Sequence, residues 1–228
     1  MSDERERGHE RERGHAVEGD TGEHGLMRIG VLISGSGTNL QAIIDATAEG
    51  RLDAEVAVVV SNLEDAYGLE RARKAGVPAV HVDRTAYTTF AAYNVVIRDI
   101  LLGHEVDVVA MAGYMRLLGT EVLDAFTGRV LNIHPALLPA FPGPAGIRDA
   151  FEYGVKVTGV TVHFASEHFD EGPIIAQEPV RVAEGDTIEV LEAKIHAVEH
   201  ELYPRVLQWV AEGRVSVDGR VARIADPT

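Results

Sequence analysis

Five short apolar runs, separated by stretches of helical periodicity, restrict this chain to a small set of folds. They are Arg28–Ile33, Val56–Val60, Val77–Val82, Val106–Met111 and Arg129–Ile133. Each is of strand length and bounded by glycine, proline, serine or charge, the pattern of a strand buried on both faces. Between them, Thr38 is read as the cap of a helix running from Asn39 to about Ala48, with Leu40, Ile43 and Ile44 on one face. Further helical segments cover Gly68–Ala75 and about Thr88–Leu102, and a helical turn ends at Leu123–Phe126. Strands alternating with helices predict an α/β fold, a Rossmann-like, doubly wound and mostly parallel sheet.

The C-terminal third follows another rule. Lys156–Ala165 alternates like a half-exposed strand, and Pro173–Val180 is placed to pair with it as an antiparallel hairpin. Thr187 to about Glu212 reads as a long amphipathic helix, followed by short strands at Val215–Val217 and Val221–Ile224. Nothing between residues 28 and 228 reads as an interdomain linker, so that span is taken as one domain. Residues 1–27 differ: Glu4–His9 (ERERGH) is repeated as Glu10–His15, followed by a Gly- and acid-rich run. With almost no apolar side chains to bury, this segment is expected to be a disordered, solvated tail; His9, His15 and His24 would otherwise serve a metal or a partner.

Composition removes several function classes. The net charge is −15, which argues against a broad nucleic-acid surface, although backbone N–H groups could still hold one small phosphorylated ligand. Absence of cysteine excludes thiolate metal ligands, disulfides and a cysteine nucleophile. No run is long and apolar enough for a membrane helix and the N-terminus has no secretory pattern, so a cytoplasmic protein without membrane contact is expected.

Two segments carry candidate chemistry. Ser34-Gly35-Ser36-Gly37-Thr38-Asn39 joins a strand to a helix, where glycines permit close approach and the helix start offers unpaired N–H groups to an anion. It matches neither the dinucleotide fingerprint, since Leu40 stands at the third glycine, nor the P-loop or nucleophile-elbow patterns. What is left is a cradle of monophosphate size or an ordinary turn. In Leu131–Pro139 (LNIHPALLP), Asn132 and His134 are two apart at a strand's end and leave the same face. Pro135, Pro139, Pro142 and Pro144 stiffen the loop beyond.

Taken together, S-G-S-G-T-N, Met111–Leu118 (MAGYMRLL), LNIHPALLP and His163-Phe164 followed by Asp170-Glu171-Gly172-Pro173 resemble the phosphoribosylglycinamide formyltransferase family, in order and spacing, from Arg28 to about Gly213. The resemblance implies formyl transfer from 10-formyltetrahydrofolate to the amine of glycinamide ribonucleotide in purine synthesis, with that folate as co-substrate, no metal and scope for a homodimer. It implies Asn132, His134 and Asp170 as the catalytic set, the first two donating to an oxyanion. Asp170, which on its own reads as a turn residue in Asp-Glu-Gly-Pro, would by this resemblance raise the histidine pKa and order water or shuttle a proton. The phosphate would fall to Gly37, Thr38 and Asn39, and the substrate near its amine to Glu199. Met115, Arg116, Leu117 and Leu118 would line the folate pocket together with Asn132, and backbone of Ala165–Phe169 would meet the pteridine.

Two positions depart from the family pattern: Phe90 stands where arginine is common, in a folate-binding region, and Ala145 where histidine is usual. Both bear on folate affinity and rate. Other readings stay open: a formyltetrahydrofolate hydrolase with the same three residues, a non-catalytic binder of nucleotide or folate, and a zinc peptidase. The last rests on His196-Ala197-Val198-Glu199-His200, an H-x-x-E-H pattern whose histidines are i and i+4 on a helix.

Overall fold

Apolar runs of three to eight residues assemble the parallel half of the sheet, as burial on both faces requires. The computed structural model describes residues 25–227. Strands β1 (Met27–Ile33), β2 (Ala54–Ser61), β3 (Ala79–His81), β4 (Val108–Met111) and β5 (Val130–His134) run parallel in the order β3-β2-β1-β4-β5. From β5 the sheet turns antiparallel through β6 (Val157–Phe164) and β7 (Ile174–Arg181), then ends in β9 (Val221–Ile224) and β8 (Val215–Asp218), nine strands in all. The repeated charged segment with His9, His15 and His24 lies outside the described residues. Among the described residues, no helix is long and apolar enough to cross a membrane.

Helices cover both faces. Alternation along β1 sends Ile29, Val31 and Ile33 to one face, where they pack with Leu40 and Ile43 of α1 (Thr38–Ala48) and with Leu191, Ile195 and Leu202 of α6 (Ile188–Ala211). The opposite face packs Leu32, Val58, Val60 and Val109 against Ile97 and Leu101 of α3 (Phe90–Gly103) and Val122 of α4 (Thr120–Leu123). α2 (Tyr67–Lys74) closes on the loop after β1, where the Gly68 N–H donates to the Gly35 carbonyl at 3.1 Å. Gly68 is needed there, because a β-carbon would sit 2.4 Å from Ile33 Cδ1.

Two expectations are revised, and one helix is added. The cap of α1 is Gly37 rather than Thr38, with φ 71° and no side-chain hydrogen bond; Thr38 is the first helical residue. This left-handed geometry suits glycine, and it leaves the first N–H groups of the helix without a side-chain acceptor. β6 is not half-exposed, since every residue from Thr158 to Phe164 is buried. Val160, Val162 and Phe164 face α6, while the Gly159–Thr161 face is roofed by the Pro-rich loop, whose Leu138 N–H donates to Thr161 Oγ1. Alternation along this strand reflects two buried faces of different polarity. Finally, α5 (Gly146–Tyr153) follows Pro142-Gly143-Pro144 and its cap Ala145, in a stretch for which the sequence suggested no element. Its start carries no capping side chain, so the usual signal for a helix start is missing.

The hydroxyl of Tyr203, on fully buried α6 surface, is shared between the carbonyls of Met111 (3.1 Å) and Leu131 (3.0 Å) near the carboxyl ends of β4 and β5. Tyr203→Phe would leave both carbonyls without this donor, and a loss of about 1–2 kcal/mol is expected in urea unfolding. A midpoint unchanged from the parent would show that the contact contributes nothing.

Candidate functional site

The connection after β1 leads to β2 on one side and that after β4 leads to β5 on the other, so a crevice opens between the carboxyl ends of β1 and β4, the usual ligand position in open α/β sheets. Three segments edge it: residues 34–39 after β1, 112–118 after β4, and Asn132 to His134 at the end of β5. Ser34 ties the first two together, its Oγ accepting from the Met115 N–H at 2.9 Å.

The crevice holds two adjoining cavities, of about 240 and 430 Å³, which share Gly113, Met115, Ile133, Pro135 and Pro144 as walls. Met115, Arg116, Leu117 and Leu118 line the smaller one, as do Asn132, His134 and Asp170. Gly37, Thr38, Asn39 and Glu199 line the larger. Phe90 lines neither: it opens α3 and is 41% exposed. Ala145 lies on the wall of the larger cavity.

Asp170 organises the smaller cavity. One carboxylate oxygen accepts from Asn132 Nδ2 at 3.3 Å and lies 3.5 Å from His163 Nε2. The other accepts from the Gly143 N–H at 2.7 Å and lies 3.4 Å from His134 Nδ1. Asp170 reaches this position at φ 57°, left-handed backbone that aspartate tolerates better than most residues. The turn that carries it is closed by the Phe164 N–H on the Pro173 carbonyl at 2.9 Å. It also depends on Gly172, where a β-carbon would fall 1.7 Å from the Phe164 oxygen.

His163 belongs to the site and was missing from the candidate residues. Register pairs it directly with Asn132 across β5 and β6, and its Nε2 lies 3.1 Å from Asn132 Nδ2. Strand alternation would have placed it inward, yet the antiparallel pairing partner of β5 is not readable from local pattern. With Nδ1–H donated to its neighbour's carbonyl at 2.8 Å, a neutral His163 offers Nε2 as acceptor. Both Asn132 N–H groups then have acceptors, and an oxyanion would compete for the one directed at Asp170, the longer of the two contacts.

His134 donates Nε2–H to the Phe141 carbonyl at 2.8 Å, which leaves Nδ1 facing Asp170. Burial pushes its pKa down, and this outweighs the upward pull of the Asp170 charge and the Phe141 carbonyl, contrary to the net rise expected from the sequence. Burial also works to raise the Asp170 carboxyl. Its contact with His163, the Gly143 N–H and the nearby His134 imidazole nevertheless hold it below the usual carboxylate range. The resting pair is therefore a neutral imidazole beside a carboxylate, ready to take a proton at Nδ1.

In the larger cavity, Glu199 is buried and one oxygen accepts from both Asn39 Nδ2 (3.1 Å) and His196 Nδ1 (2.8 Å). The bond to Glu199 raises the His196 pKa despite partial burial. This arrangement disfavours the zinc reading of His196, Glu199 and His200. The two rings stack at 6.2 Å, Glu199 is engaged by Asn39, and no three acidic or histidine side chains converge as metal ligands among the described residues.

Because the Asp170 charge is what lifts the His134 pKa against burial, Asp170→Asn should lower it further. An NMR titration of the His134 ring tests the sign: protonation in the variant should require lower pH than in the parent, and an unshifted or raised midpoint would exclude the coupling.

Residues 27–207 match the formyl transferase family. A phosphoribosylglycinamide formyltransferase from Bacillus subtilis is 42% identical, over 80% of this chain and 94% of its own length. The trifunctional purine biosynthetic protein adenosine-3 of Bos taurus is 41% identical over 87% of this chain, which spans only 20% of that longer protein. Among solved structures, glycinamide ribonucleotide transformylase 1 from Symbiobacterium toebii superimposes with a TM-score of 0.86 at 55% identity, covering 88% of this chain and 95% of that one. A formyltetrahydrofolate deformylase from Pseudomonas syringae has a TM-score of 0.81 at 28% identity, covering 88% of this chain and 66% of its own. By sequence and by architecture, this chain belongs to the formyl transferase family.

Proposed function

We propose that residues 28–228 form a phosphoribosylglycinamide formyltransferase, moving a formyl group from 10-formyltetrahydrofolate to the amine of glycinamide ribonucleotide in cytoplasmic purine synthesis. The observation that carries this reading is that two unlike cavities adjoin across Gly113, Met115, Ile133, Pro135 and Pro144, with Asn132, His134 and Asp170 lining the smaller one. One is walled by Met115, Leu117, Leu118 and Phe169, suited to a flat heterocycle. The other is edged by the open N–H groups of residues 36–39, suited to a phosphate.

Transfer requires the amine nitrogen to attack the formyl carbon, giving a tetrahedral species whose oxygen carries the charge. Asn132 donates Nδ2–H to that oxygen, relinquishing its long contact with Asp170. The attacking nitrogen loses a proton, and His134 Nδ1 accepts it, directly or through water, with Asp170 as counter-ion. The same proton then goes to the departing folate nitrogen as the carbon–nitrogen bond breaks, so no covalent enzyme intermediate is required. Hydrolysis would use water in place of the amine and leave the larger cavity without a purpose. The extent of agreement with transferases, against a deformylase matched over only 66% of its length, also favours transfer.

The deciding assay combines the protein with glycinamide ribonucleotide and a 10-formylfolate and follows folate deformylation optically. Turnover that needs the ribonucleotide is expected; formate release without it would establish a hydrolase. His134→Ala and Asp170→Asn should each cut turnover by at least ~10², the scale of one acid–base contribution. Near-parental rates in both would remove the mechanism. Phe90→Arg tests the departure at α3. A lower KM for the folate is expected if the added charge reaches the ligand, and an unchanged KM would agree with the position of Phe90 outside both cavities.

A further inference from the structure

The loop at the start of α1 must aim its N–H groups into the larger cavity, yet it contains no side chain that fixes their direction. The carbonyls of the loop supply the constraint instead. In a trans peptide, C=O and the following N–H point in opposite directions, so holding a carbonyl from one side orients the next N–H toward the other. The Gly35 carbonyl accepts from the Gly68 N–H of α2 at 3.1 Å. The Ser36 carbonyl accepts from Arg71 Nε, also on α2, at 2.8 Å. These two bonds pin consecutive peptides from the α2 side and direct the N–H groups of Ser36 and Gly37 away from it. Neither N–H, nor those of Thr38 and Asn39, has an acceptor among the described residues, and all four residues line the cavity.

Arg71 is itself held in place. Its Nη1 donates to Gln41 Oε1 at 3.1 Å, its guanidinium lies 5.0 Å from the Tyr67 ring centre, and its Cδ is within 3.4 Å of where a Gly37 β-carbon would stand. A guanidinium fixed this closely behind the loop adds positive charge to the anion side of the α1 dipole without occupying the cavity.

We propose that Arg71 is a positioning residue for the phosphate of the acceptor substrate, acting through the Ser36 carbonyl and not by touching the ligand. The proposal rests on the reading of the larger cavity as the site of a phosphorylated acceptor. It assigns Arg71 to recognition of the phosphate alone, with no part in the formyl transfer step.

The test compares the parent with Arg71→Met, similar in length and uncharged, and with Arg71→Lys, which keeps charge but loses the planar donor set. Inorganic phosphate is titrated first, following the backbone amide resonances of Gly35 and Gly37, a measurement that needs no turnover. Arg71→Met should bind phosphate about tenfold more weakly, the weight of one charge-assisted hydrogen bond, with Arg71→Lys between the two. In the formyl transfer assay, Arg71→Met should raise KM for glycinamide ribonucleotide by a similar factor while kcat and the folate KM stay within about twofold. Its kcat/KM for the dephosphorylated acceptor should not change. Equal losses on the phosphorylated and dephosphorylated acceptors would mean a general structural role and overturn the proposal, as would an unaltered phosphate titration. A parent that binds phosphate at these amides but transfers no formyl group would refute the proposed reaction while leaving the assignment of Arg71 standing.

Discussion

The reactive centre depends on one carboxylate held where carboxylates are costly. Asp170 is almost fully withdrawn from water, with 6% of its side chain exposed, and it compensates by accepting from a backbone N–H and a side-chain amide while facing two imidazoles. These groups come from β5, from β6 and from the Pro-rich loop, so the carboxylate draws three separate parts of the chain to a single point. Removal of a buried charge's partners is expensive, and the same coupling keeps the parts in register. The protein reaches this arrangement by a left-handed residue in a turn that only a glycine at position 172 allows to close.

Burial then decides what the neighbouring histidine can do. An exposed imidazole beside a carboxylate would be expected to rest protonated near neutral pH. Here desolvation prevails and His134 rests neutral, with Nε2–H committed to a carbonyl and Nδ1 open toward Asp170. A neutral imidazole is a proton acceptor, and the adjoining carboxylate means that accepting the proton neutralises a charge and does not create an isolated one. The pair is therefore suited to a reaction in which an amine sheds a proton as it bonds to carbon.

Most of the parallel sheet was legible in sequence because strands buried on both faces write continuous apolar runs. Asn132 and His134 were legible for a related reason: spacing of two on a strand places both on one face, and β5 ends at the crevice. Other features were not local. His163 enters the site because β6 pairs antiparallel with β5, a register that depends on tertiary contacts. Burial of both faces of β6 depends on a loop that folds back over Thr161. The net direction of the His134 shift required knowing how completely it is enclosed. Asp170 stood in ordinary turn chemistry, and only the recurrence of a family pattern distinguished it. Phe90 shows the converse, a position that sequence comparison marked for the ligand and that the fold places on an exposed helix start.

The proposed reaction presents a conflict of charge, since a chain with net charge −15 would have to attract an anionic substrate. The larger cavity is lined by Glu192 and Glu199, with Arg148 as its one arginine among the described residues. Long-range attraction cannot be the means, because a surface of that sign repels phosphate out to about a Debye length of ~8 Å at physiological ionic strength. Recognition must operate within hydrogen-bond distance, where directed N–H groups and the dipole of α1 outweigh a diffuse field. Backbone donors also cannot reorient freely once the peptide planes on both sides are held, so their cost of ordering is met during folding and not at binding. In the proposed role such a site would discriminate by shape as much as by charge: it would accept a compact tetrahedral anion between residues 36 and 39 and offer little to a long polyanion. The net negative charge of the chain would then be an advantage, since it discourages nucleic acids from approaching a cavity proposed for one phosphate.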